Sequence, residues 1–267
     1  LDRWTLGPPL PLEGGLDHPN VAAAGGRLYV LGGLNLLQGG ATARTFEFDP
    51  AGAAWRERQA MPTARGAAGV AELGGNIYVA GGQRGNSTVN EFAVFDPAAN
   101  TWSVLPAMPT ARNHLTAQAL GSRFYAIGGR VAALLGAVEA YDPGTNSWAP
   151  RAPMLTPRSG IASATLRGRI QVLGVETSSL PNGTFPENEE YDPATNAWQP
   201  LAPLPTPRHG FYGAALDRRL YAPGGGVRAG LSVSAVNDVF FFPPDRPPAA
   251  TAAGVVEGAG FLPRLAA

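Results

Sequence analysis

The chain contains no cysteine. Disulfides, thiolate metal sites and cysteine nucleophiles are therefore excluded. Lysine is absent too: all 20 basic residues are arginine, and they balance 20 Asp and Glu at a formal net charge of zero. That neutrality argues against nucleic acid or an anionic membrane surface as a partner, since both call for a basic field. No apolar run approaches the ~18 residues of a membrane-spanning helix. There is no phosphate loop, zinc-protease motif or nucleophile elbow. The chain opens Leu1-Asp2-Arg3-Trp4, without an initiator Met or an apolar leader, as expected of a chain that has lost a presequence or is a fragment. A secreted or periplasmic location is favoured over a cytoplasmic one.

What the sequence has in quantity is glycine (35) and proline (26), with 45% hydrophobic residues. Combined with an internal repeat, this composition points to an all-β protein rich in tight turns. The doublets Gly32-Gly33, Gly81-Gly82, Gly128-Gly129 and Gly224-Gly225 recur at regular spacing, and Gly174-Val175 fills the gap. In the same register ahead of each doublet stands Leu16, Arg65, Arg112, Arg158 or Arg208. Between them falls Tyr29, Tyr78, Tyr125, Gln171 or Tyr221. Downstream come Phe48-Asp49-Pro50, Phe95-Asp96-Pro97, Tyr141-Asp142-Pro143 and Tyr191-Asp192-Pro193, then Trp55, Trp102, Trp148 and Trp198. The fifth copy reads Phe242-Pro243-Pro244 with no tryptophan after it, while Trp4 stands alone at the start.

Each landmark has a physical reading. Gly25-Gly26, Gly74-Gly75, Gly121-Ser122, Arg167-Gly168 and Asp217-Arg218 each stand as a two-residue break between short apolar runs, the signature of a tight hairpin. The glycine doublet should end strand b where neighbouring backbones approach closely. Asp-Pro opens the turn between strands c and d, with Asn100, Asn146 or Asn196 supplying its left-handed residue. In the first copy Ala53 holds that place, with Gly52 beside it as the expected substitute. The tryptophan on strand d should pack between adjacent repeats.

A glycine doublet, an aromatic-Asp-Pro step and a tryptophan six residues past the Asp resemble the kelch repeat, over residues 1–244. The layout is also similar to bacterial and fungal secreted kelch proteins, loosely called galactose oxidase-like, with Gly224-Gly225-Gly226-Val227-Arg228 as a shared segment. The resemblance implies an all-β kelch β-propeller of five four-stranded blades. The ring would be closed by an N-terminal strand, residues 1–7, completing the last blade. Six blades is the alternative count if an upstream blade is missing. Residues 245–267 read as a Pro/Ala-rich C-terminal tail outside the repeats.

The resemblance sets strand a along a central channel, with the d–a and b–c loops on one face. Variable loops on a rigid scaffold are where binding usually sits, so the candidate ligand-binding residues are those at the channel mouth. They are Arg65, Arg112, His114, Arg158, Arg208 and His209, with Arg84, Arg130 and Arg228 just after the doublets; His18 aligns with His114. The expected function is non-enzymatic: a binding or interaction propeller holding a protein segment or a glycan, anionic in character, as a monomer and without a cofactor or metal. Copper-radical galactose oxidase activity is excluded because its cysteine is absent. The alternative is a carbohydrate-active enzyme of the sialate mutarotase type using channel Arg and His. That reading would need an acid–base carboxylate, Glu176 or Glu187, within reach of two arginines. The triplets Asn86-Ser87-Thr88 and Asn182-Gly183-Thr184 match glycosylation acceptors but carry no weight here.

Overall fold

A computed structural model describes residues 6–35, 40–177 and 182–243, together with a short strand at 261–262. All regular structure among the described residues is β. It forms five four-stranded antiparallel sheets, each ordered a-b-c-d along the chain, plus a two-stranded ribbon. The first sheet comprises Val21–Ala24, Arg27–Asn35, Gly40–Asp49 and Ala54–Arg58, and the second Gly69–Leu73, Asn76–Ala80, Phe92–Asp96 and Thr101–Leu105. The third comprises Thr116–Leu120, Arg123–Ile127, Val138–Asp142 and Ser147–Arg151, and the fourth Ala162–Leu166, Arg169–Leu173, Asn188–Asp192 and Ala197–Leu201. The fifth comprises Ala214–Leu216, Arg219–Pro223, Asn237–Phe241 and Phe261–Leu262.

The turns form as their residues require. Both central residues of the a–b hairpin have positive φ at Gly25-Gly26, Gly74-Gly75, Arg167-Gly168 and Asp217-Arg218. This is the mirror-image turn whose twist matches that of the flanking strands. In the c–d turn the Asp carboxylate accepts backbone amides two residues on, from Ala51, Ala98, Gly144 and Ala194. Asn100, Asn146 and Asn196 then turn left-handed as expected; in the first sheet Ala53 does so itself at φ 46°, and Gly52 is not needed.

The glycine doublet works as a socket. A Cβ on its first residue would lie 2.5–2.7 Å from the carbonyl oxygen of the next repeat's arginine: Gly32 from Arg65, Gly81 from Arg112, Gly128 from Arg158, Gly174 from Arg208. The following residue donates its amide to that same oxygen, from Gly33 (3.1 Å), Gly82 (2.9 Å), Gly129 (2.8 Å) and Val175 (3.1 Å). The second position is closed as well at Gly82, where a Cβ would lie 2.7 Å from the Gly66 carbonyl oxygen, whereas the fourth repeat carries Val175 there.

The tryptophans join successive repeats. The indole N–H of Trp102, Trp148 and Trp198 donates to the carbonyl just past the preceding strand d, at Gln59 (2.9 Å), Pro106 (2.9 Å) and Ala152 (2.8 Å). Trp55 donates in the same way to Pro8, at 2.9 Å. Each acceptor lies four residues beyond a tryptophan, and Pro8 stands in that relation to Trp4.

The fifth sheet differs from the sequence reading. Phe240 pairs with Leu220 as Tyr191 pairs with Ile170, so Phe240, and not Phe242, takes the place of the aromatic before Asp-Pro. Its outer strand is Phe261–Leu262, paired with Phe240 and Val239, and comes from the segment read as a tail. Of the expected closing strand, residues 1–5 lie outside the described residues, and Leu6 and Gly7 are in no strand.

By its contacts the chain divides into two compact units, Leu1–Asn113 with Asp142–Trp148, and His114–Tyr141 with Ala149–Ala267. In the first, Tyr29 and Leu31 of one sheet pack with Ile77, Val79 and Phe95 of the next, and Met61 seals the seam. The second has two such cores: Tyr125, Ile127 and Val138 against Ile170, Val172 and Tyr191, then Ala162, Ala164 and Leu173 against Leu220 and Phe240.

Candidate functional site

The four arginines ahead of strand a do not present themselves to a ligand. Their side chains are 0–1% exposed. Arg158 pairs with Glu189 and donates to the Glu187 carbonyl at 2.8 Å. Arg208 pairs with Asp238 and donates to the Ala222 carbonyl at 2.7 Å. Arg65 reaches the Val79 carbonyl (3.1 Å) and Glu91 (3.3 Å), and burial pushes its guanidinium down to about 10 despite the nearby Glu91 charge. Arg112, equally buried, touches the Met108 sulfur at 3.5 Å. Of the candidate ligand-binding residues, Arg65, Arg112, Arg158 and Arg208 are therefore held inside the sheets. Carboxylates and carbonyls inside the sheets need donors, and a buried charge persists only where it is paired.

The residues just after the doublets behave differently. Arg84 is half-exposed and pairs with Glu91 at 2.9 Å in the first unit. His18, in the same unit, pairs with Asp17 at 2.8 Å. In the second unit Arg130 and Glu176 hold the same repeat position one repeat apart, and they form an ion pair at 2.6 Å. The other Arg130 nitrogen lies 3.2 Å from His114 Nε2. Glu176 Oε1 accepts the Gly230 amide at 2.9 Å and lies 3.6 Å from His209 Nε2. His114, Arg130, Glu176 and His209 are thus brought together, and the cluster ties the b–c loops of the third, fourth and fifth sheets to one another.

Two local features fix this cluster. His114 sits at φ 50°, in the position held elsewhere by His18 (47°), Ala67 (53°), Gly160 (63°) and Gly210 (62°). Histidine there carries backbone strain of roughly 1 kcal/mol that glycine would avoid. Backbone bonds clamp the position, Gly160 N–H to His114 O at 2.9 Å and Gly210 N–H to Gly160 O at 2.9 Å. His209 is buried, with Nδ1 and Nε2 each 3.1 Å from a carbonyl, those of Gly226 and Gly230.

Burial pushes the Glu176 carboxyl up, but the Gly230 amide, Arg130 and His209 outweigh it and hold the group below its ordinary value. Glu187 is exposed. Arg228 is also exposed, and its guanidinium has no partner among the described residues. A depression of about 510 Å³ lined by Leu10, Pro11, Leu12, Glu13, Thr42 and Arg44 holds none of these groups, and its Arg44 is engaged by Glu57 at 2.7 Å. The His114–Glu176 cluster is the better candidate because its polar groups converge. Among the described residues no group of three or more His, Asp and Glu is placed to hold a metal ion.

The five repeated sheets, their socketed glycines and their tryptophan joints define a kelch-type β-propeller, and the chain belongs to the kelch-repeat family. The KLHDC2/KLHL20/DRC7 Kelch-repeats domain matches residues 18–242. A curated relative, the Kelch-like protein terF of Aspergillus terreus, is 36% identical over 84 residues, which is 30% of this chain and 18% of terF. The match therefore spans under a fifth of that relative's length. Among solved structures the fold is similar to that of YjhT, with a TM-score of 0.78 and 17% identity over 91% of this chain and 86% of YjhT.

Proposed function

We propose that this protein is a non-enzymatic binding module that holds a protein segment on the loop surface built around His114, Arg130, Glu176 and His209. The observation that carries this reading is the linkage of three consecutive b–c loops through the Glu176 carboxylate. A binding surface ordered before its partner arrives loses little on association. The arrangement also speaks against the sugar-epimerising alternative. Among the described residues Glu176 is held by one arginine, where that reading calls for two, and its second oxygen accepts a backbone amide. The test is a screen of glycan and peptide arrays against the intact chain and against His114→Ala with Arg130→Ala. Peptide binding that this pair abolishes, with folding intact, supports the reading. Binding lost equally on mutating Arg123 and Arg219, beside the a–b turns, would place the site on the other face.

A further inference from the structure

The b–c loop of the fifth sheet, residues 224–236, has its apolar and polar sides reversed. Leu231 is 102% exposed and Val233 is 90% exposed, with Ala235 exposed beyond them. The serines between them turn inward. Ser232 Oγ accepts the Arg228 amide at 3.0 Å and donates to the Arg228 carbonyl at 2.5 Å. Ser234 Oγ donates to the Gly225 carbonyl at 2.8 Å. This period-two alternation is that of an extended chain. In a half-buried strand, however, the apolar residues would face the protein.

The loop is firmly held in this arrangement. Ala229 donates its amide to the Asn182 carbonyl at 2.9 Å, and Thr184 Oγ1 donates to the Val227 carbonyl at 3.3 Å. A Cβ on Gly183 would lie 2.2 Å from that of Ala229, so the two loops are packed backbone to backbone. Gly230 is fixed by Glu176 and His209. Scattered exposed apolar residues are ordinary. A segment with two large aliphatic side chains outward, running on from a bend at 227–231 that is bonded to the neighbouring loop and carries the exposed Arg228, is a different object. The amides of Val233 and Ala235 also make no hydrogen bond among the described residues, which leaves a backbone edge open to a further strand.

We infer that residues 228–235 are the docking edge for an extended segment of a partner protein in which an acidic side chain stands beside apolar ones. The segment lies alongside residues 231–235, pairs with their open amides, covers Leu231 and Val233, and sets its carboxylate on Arg228. Charge complementarity selects the acid: Arg130 is already neutralised by Glu176, so Arg228 is the cation left to a partner on this loop. Strand addition supplies affinity through the backbone and specificity through alternate side chains.

This inference deepens the binding-module reading, and the experiment separates the two. A phage-displayed library of random peptides is panned on the intact chain, and the selected peptides are measured by fluorescence anisotropy. Sequences pairing Asp or Glu with Leu, Ile, Val or Phe are expected. Leu231→Ser with Val233→Ser should weaken them by about tenfold or more, the scale of a lost hot spot. Arg228→Glu should weaken acidic peptides and, on fresh panning, select basic ones. Its side chain is exposed and its guanidinium has no hydrogen bond or ion pair among the described residues, so folding is expected to survive, as circular dichroism will check. Selected peptides that tolerate all three changes, or that show no acidic bias, overturn this docking edge and leave the binding-module reading standing. A library that yields no binder, with glycans captured instead or nothing at all, overturns both.

Discussion

The carboxylate of Glu176 accepts the backbone amide of Gly230, 54 residues further along, at 2.9 Å. Beside the Ala229–Asn182 and Thr184–Val227 bonds, it adds a charged side chain of the fourth sheet to what holds the fifth sheet's loop.

Removing the charge should release the loop without unfolding the protein. Glu176→Gln is expected to speed hydrogen exchange across residues 226–232 while leaving the melting temperature nearly unchanged. The same release should follow acidification. The folded carboxyl lies below its ordinary value, so its contribution is complete above the ordinary range near pH ~4.3 and is lost as pH falls through the folded value. Protection of residues 226–232 that does not change between pH 7 and pH 3 would show that the carboxylate does not hold the loop.

The buried arginines should affect stability. Arg208→Ala strands Asp238 in the interior and is expected to cost about 3–5 kcal/mol in urea denaturation, the scale of a broken buried pair. Arg84→Ala, which breaks a half-exposed pair with Glu91, should cost less than about 1 kcal/mol. Similar losses at both sites would contradict the contrast in burial.

Trp102 packs tilted against Phe95 with ring centroids 5.1 Å apart, and Trp148 lies 4.8 Å from Phe92. Both rings are half-buried. Each change to Ala should therefore cost about 2–3 kcal/mol, below the ~3–5 kcal/mol of a fully enclosed aromatic. Trp102→Phe keeps an aromatic ring against Phe95 but loses the bond to Gln59, and should cost about 1 kcal/mol.

At the glycine socket the first position should be intolerant. Gly128→Ala puts a Cβ 2.7 Å from the Arg158 carbonyl at φ 64° and is expected to cost roughly 2 kcal/mol or more. Gly168→Asn, in an a–b turn with open space around it at φ 74°, should be nearly neutral, because asparagine tolerates the left-handed region.

The Trp55–Pro8 bond places Pro8 at the repeat position that follows a strand d. Deleting residues 1–8 removes the acceptor of the Trp55 indole and is expected to lower the melting temperature by the equivalent of about 1 kcal/mol, the scale of one hydrogen bond. A truncated chain with an unchanged melting temperature would show that the Trp55–Pro8 bond contributes nothing to stability.

The sequence markers that were legible are those tied to backbone necessity. Glycine at 32, 81, 128, 174 and 224, Asp at the c–d turn and Asn at its left-handed residue are demanded locally, so position alone reveals them. The fifth repeat was misaligned because it lacks both Asp-Pro and tryptophan. Phe240-Phe241-Phe242 then offers three equivalent aromatics, and only the pairing with Leu220 chooses among them. The position of the arginines is legible in the repeat, but their partners are not. Nothing local says that Arg158 and Arg208 turn inward to Glu189 and Asp238, 31 and 30 residues away. The Arg130–Glu176 pair did leave a trace: opposite charges at one repeat position in consecutive repeats, 46 residues apart.

The tryptophan joint gives the protein a grammar for growth. The outer strands of the first four sheets each carry an indole that reaches back, and four residues beyond the first three of these indoles lies the carbonyl that receives the next one. Gln59, Pro106 and Ala152 show that the receiving residue contributes only its backbone oxygen, so its side chain is free to vary. A copied repeat spliced in at such a carbonyl would arrive with both halves of the coupling already made. Duplication could therefore lengthen this chain one blade at a time without inventing a new contact.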